Sequence, residues 1–60
     1  MNITYNDHSH LLYIRLDEKK QQVTNQRVSE EVILDIGQEG KIVGIEILDA
    51  SKNIDLSSVL

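Results

Sequence analysis

Asp7, His8 and His10, crowded into Asn6-Asp7-His8-Ser9-His10, are the side chains of this chain best suited to hold a metal ion. In an extended segment His8 and His10 would project to the same side, and the Asp7 carboxylate could add a third donor. A zinc site needs at least three protein ligands, and the chain has no cysteine and no further histidine. Asn, Asp and Ser also build turns, because their side chains bond to nearby backbone. A turn is therefore the expected role of this segment, and no cofactor is expected. Metal binding through Asp7, His8 and His10 is the chemical alternative.

The remaining candidates are weaker. Asp35 and Glu46 fall on one face of a predicted hairpin, and paired carboxylates can do acid–base work when their surroundings push their pKa values apart. No element that could form a pocket is visible beside them, so they are expected to be solvated acids on an outer face. Ser51, Ser57 and Ser58 have no neighbouring base, and nucleophilic catalysis needs one. Gly37-Gln38-Glu39-Gly40 lacks the lysine and the glycine spacing of a phosphate loop. No catalytic residue is assigned, and the protein is not expected to be an enzyme.

What must position these residues is small. Sixty residues make one domain, and a chain of that length buries only about 60% of its unfolded surface. Without cysteine there is no disulfide to compensate, which leaves self-association or a tight aliphatic core. The net charge of −4 opposes nucleic-acid binding, which requires a basic stripe that releases counterions. The first residues, with neither a basic nor an apolar stretch, are not expected to act as a signal peptide, and no run approaches the ~20 apolar residues that span a bilayer. A soluble, cytoplasmic protein is the expectation.

Alternation defines the elements. Ile3-Thr4-Tyr5 reads as a strand and Leu11-Leu12-Tyr13-Ile14-Arg15-Leu16 as its partner, and pairing Tyr5 with Leu12 also pairs Ile3 with Ile14. Residues 23–28 read as a polar edge strand or as poorly ordered chain, and polar edges deter unwanted pairing. Val32-Ile33-Leu34-Asp35-Ile36 and Ile42-Val43-Gly44-Ile45-Glu46-Ile47-Leu48 read as a second hairpin, with Gly40 supplying the positive φ its loop needs. Pairing Ile36 with Lys41 would oppose Leu34 to Val43 and Val32 to Ile45. Gly44, inside a strand, marks a bulge or a close backbone approach. After Leu48 comes a tail with Asp49, Ser51 or Asp55 as helix caps. The predicted fold is mainly β: an antiparallel meander of four or five strands over residues 1–48, then a short helix or irregular tail over 49–60, completed by dimerisation. Leu12, Ile14, Leu34, Val43 and Ile45 are the expected core.

Two blocks resemble the short prokaryotic proteins known as domain of unknown function 2283. One is Tyr5-Asn6 followed by Leu12-Tyr13-Ile14. The other is Val32-Ile33-Leu34-Asp35, Gly40 and Val43-Gly44-Ile45-Glu46-Ile47-Leu48-Asp49-Ala50-Ser51. Two acidic positions of the family's opening read Asn6 and His10 here. The resemblance implies a small β-rich module, brings no activity or cofactor, and makes an antitoxin-like role beside a small basic protein conceivable.

The expected function is a non-enzymatic interaction module that forms a homodimer. A face with Tyr13, Ile33, Ile42 and Leu48, rimmed by Asp35 and Glu46, is the expected interface. An acidic cap on a small basic protein is the alternative partner, and a metal protein or enzyme stands third.

Overall fold

Both hairpins foreseen from alternation form, and a further pairing joins them into one sheet. The computed structural model describes residues 1–60. Its strands are β1 (Asn2–Asn6), β2 (Leu11–Arg15), β3 (Thr24–Arg27), β4 (Val32–Ile36) and β5 (Ile42–Ile47). Two one-turn helices follow, α1 (Ala50–Asn53) and α2 (Leu56–Val59). The fold is mainly β: one open antiparallel sheet with a short helical tail.

The strand order is β1-β2-β5-β4-β3, which departs from a sequential meander at one point. The connection 16–23 carries the chain to the far edge, and β5 returns to the centre beside β2. Composition explains the exchange. Thr24-Asn25-Gln26-Arg27 has no apolar side chain, and all four residues are exposed. The aliphatic β5 takes the central place because burial of apolar area is the dominant driving force. Residues 23–28 thus supply an ordered edge strand.

The first hairpin has the expected register, with Ile3 opposite Ile14 and Tyr5 opposite Leu12. The second does not. Ile36 pairs with Ile42, Asp35 with Gly44, Leu34 with Ile45 and Val32 with Ile47. Val43 is left without a partner, a β-bulge that shifts the register between Asp35 and Ile36. An extra residue reverses the alternation on its far side, so Ile42 shares a side with Ile36, not with Glu46. The loop between the strands turns through Glu39 and Gly40, at φ 61° and 71°.

The sheet therefore has two unlike sides. One carries Ile3, Tyr5, Leu12, Ile14, Ile45, Ile47, Val32, Leu34 and Ile36; the other carries Thr4, Tyr13, Arg15, Gly44, Glu46, Ile33, Asp35, Asn25 and Arg27. The expected core is only partly realised. Leu12 and Val43 are buried, but Ile14, Leu34 and Ile45 are half-buried. The tail is tied where β2 and β4 begin and β5 ends: the Ala50 N–H donates to the His10 carbonyl, and Asn53 Nδ2 donates to Glu31 Oε2 at 2.7 Å and to the Leu48 carbonyl at 3.2 Å. Of the proposed caps, Asp55 functions, accepting from the Ser57 N–H at 3.1 Å. Asp49 sits at φ 46°, ψ 48° and makes no side-chain cap bond.

Candidate functional site: a buried tyrosine–carboxylate cluster

Asp35 is the only charged side chain buried in the domain, 6% exposed. This overturns the expectation of a solvated outer-face acid. A buried carboxylate is tolerable only when its oxygens are hydrogen-bonded, and both are. Oδ2 accepts from the Tyr13 hydroxyl at 2.9 Å, and Oδ1 accepts from Asn25 Nδ2 at 2.5 Å. Glu46 completes the group, with Oε2 3.5 Å from the same Asn25 amide.

The register explains how these residues meet. Tyr13 is on β2, Glu46 on β5, Asp35 on β4 and Asn25 on β3, all on the same side. Tyr13 must reach across β5 to Asp35, and it passes over Gly44. A Cβ on Gly44 would collide with the Tyr13 hydroxyl and lie 3.0 Å from Asp35 Oδ2. The mid-strand glycine is thus both next to a bulge and under a close approach. One carboxylate on β4 takes a neutral donor from β2 and another from β3, and Glu46 of β5 joins through Asn25.

The electrostatics follow from crowding. Burial, then the hydrogen bond to Asp35 and the Asp35 and Glu46 charges, raise the Tyr13 phenol above its ordinary value; the Arg15 charge opposes them. Burial first, and then the hydrogen bonding and charge of Asp35, hold the Glu46 carboxyl above its ordinary 4.5. With both Asp35 oxygens engaged, the cluster acts as a clamp across the sheet.

A family model for proteins of unknown function, DUF2283, matches residues 2–51. The chain belongs to this family. The DUF2283 region runs from β1 to the start of α1 and includes every member of the cluster; α2 lies beyond it. No curated protein and no solved structure matches the chain.

The other residues singled out in this DUF2283 sequence are scattered. Asp7, His8 and His10 lie in a turn, as expected from their types. Asn6 Oδ1 accepts from the N–H groups of His8 (2.9 Å) and Ser9 (3.2 Å), and the His10 N–H closes the turn on the Asn6 carbonyl at 2.8 Å. His10, at φ 59°, places Nδ1 3.2 Å from the Tyr5 hydroxyl. No three His, Asp or Glu side chains converge on one point. An open depression beside this turn is lined by Thr4, Tyr5, Asn6, Asp7, His8, Leu11 and Tyr13.

Of the interface candidates, Tyr13, Ile33, Asp35 and Glu46 share a side. Leu48 lies just past β5, its N–H donating to the Glu31 carbonyl at 2.8 Å. Ile42 departs from the set, carried to the opposite side by the bulge. Asn25 was not singled out from the sequence, because its role depends on a long-range register. The legible signal was Gly44 itself, a gap in a central strand with an aromatic residue one strand away.

Proposed function

We propose that this domain is a non-enzymatic interaction module that works as a homodimer. The observation that supports it is the unfinished core. Only five residues are buried, three of them apolar: Leu12, Val43 and Ala50. The accessible surface is 4401 Å² for 6.8 kDa, whereas a monomer of that mass is expected to expose about 3,950 Å². The radius of gyration, 11.6 Å, exceeds the roughly 10.4 Å expected of a compact domain of this length. Both differences are those of an open sheet with one side lacking its second layer. Two layers around one core is the arrangement that domains of packed sheets require.

The chemistry of the buried cluster agrees with a structural role. Tyr13 and Asn25 each donate to one Asp35 oxygen, and the residue is buried. Analytical ultracentrifugation over a hundredfold concentration range tests the proposal. A sedimenting mass of twice 6.8 kDa is expected, dissociating on dilution. A single 6.8 kDa species throughout would overturn it, and a complex formed only with a small basic protein would put the acidic-cap alternative first.

A further inference from the structure

The structure assigns the dimer seam to the aliphatic side of the sheet, packed face to face on the same side of a second copy; this rests on the homodimer reading above. It differs from the expected Tyr13 and Glu46 face, which the clamp leaves polar and self-satisfied.

Three observations carry the assignment. Along β2 and into the following residue, this side opens steadily: Leu12 is 0% exposed, Ile14 is half-buried, and Leu16 is 43% exposed. The tail is tied at the Leu12 end, where the Ala50 N–H donates to the His10 carbonyl. At the opposite end the 16–23 connection crosses by Val43, with the Leu16 and Asp17 N–H groups on the Val43 carbonyl and Gln21 against Gly37, and still leaves Leu16 and Ile42 open. There Ile42, beside Ile36, is 45% exposed.

The second observation is charge. None of the residues paired on this side is charged, whereas Arg15, Arg27, Asp35 and Glu46 all lie on the other. For a chain of net charge −4 this suits a second copy. The contact desolvates no charge, and the like charges of the two copies stay outside the seam. A basic partner would be recognised by carboxylates, which this side lacks.

The third is area. Five strands of about five residues, at ~4.8 Å between strands and ~3.4 Å per residue, give a footprint of roughly 400 Å². That is close to the excess of surface over a compact monomer, about 450 Å². Two such footprints come to about 800 Å², below the ~1,200 Å² at which standard specific interfaces begin, which is the size of a weak, reversible contact that dissociates on dilution. The seam therefore uses the part of this side that the tail and the 16–23 connection leave open, about a two-fold axis, and both clamps face outward.

The chain has no cysteine, so one introduced thiol reports position. Ile45→Cys, on the aliphatic side, should be joined into covalent dimers by a bismaleimide spanning about 10 Å, the distance between packed sheets. Ile33→Cys, equally half-buried but on the clamp side, should not. Ile42→Glu should lower the sedimenting mass from two chains to one, and Ile33→Glu should leave it at two. Should Ile42→Glu fail to fold by circular dichroism, the two cysteine variants decide. Dimers cross-linked through Ile33→Cys and not Ile45→Cys would sink the seam and leave the homodimer standing. Wild-type protein that is monomeric at every concentration would sink both.

Discussion

Tyr13 donates one hydrogen bond into a carboxylate that water barely reaches, and its loss is where the clamp should show its worth. Tyr13→Phe keeps the ring and leaves Asp35 with one donor fewer, a loss of about 1–3 kcal/mol. A domain of this length has roughly 3–9 kcal/mol in total, and each kcal/mol moves the melting point by about 4–8 °C. Thermal unfolding followed by circular dichroism should therefore fall by several degrees; an unchanged melting point would remove the clamp from the stability of the fold. Glu46 is a different case, because its carboxyl is raised in the folded state. A group raised in this way binds more protons folded than unfolded. Its contribution is present below the ordinary 4.5 and is lost as pH rises through the higher folded value. Glu46→Gln stays neutral and keeps the contribution, so at pH 7 the variant should melt above wild type, and the difference should close below pH 4.5. A variant that melts lower at pH 7 would show that the Glu46 charge is favourable there.

At the scale of elements, the sheet and the tail should separate experimentally. α2 is one turn long, and isolated helices that short do not persist without support. Asp55 supplies it: hydrogen bonds from Ser57 and Ser58 hold its carboxyl below the ordinary value. That shift has the opposite sign to the one at Glu46, so this support is present above pH 3.8 and lost on acidification. Asp55→Ala should speed hydrogen exchange of the Ser57 and Ser58 amides and leave the amides of β2 and β5 as slow as before. The turn at residues 7–10 closes on backbone and Asn6 contacts, with His10 Nδ1 3.2 Å from the Tyr5 hydroxyl. Stoichiometric zinc should leave the melting point unmoved, since a ligand that binds only the folded state raises it. A zinc-dependent rise abolished by His8→Ala with His10→Ala would restore the metal reading.

For the whole molecule the governing quantity is the aliphatic side of the sheet, which the chain covers only in part. A monomer would hold Ile14, Ile36, Ile42 and Ile45 partly in water, and such contiguous apolar patches mark association sites. Mass action then ties stability to concentration. A tenfold increase in protein should add about 1.4 kcal/mol to the dimer's stability, the factor-of-ten equivalent in free energy. Melting curves at several concentrations check this, and curves that superimpose would contradict it.

Local patterning alone determined much of this. Period-two alternation gave the strands, and the side of each residue within β1 and β2 followed, because a strand cannot turn one residue over without turning all. The turn types of residues 6–10 and the positive φ at Gly40 came from side-chain size and hydrogen-bonding capacity, which are properties of single residues. What only the tertiary structure decided was every relation between distant segments. Competition for the buried centre placed β5 beside β2 and sent β3 to the edge. The bulge at Val43, invisible to composition, moved Ile42 to the other side and displaced the register beyond it. Asp35 became buried because Tyr13 could cross Gly44 and Asn25 could arrive from the edge strand. Burial of a charge depends on which donors surround it, and those donors were brought together by a register that no local pattern contains.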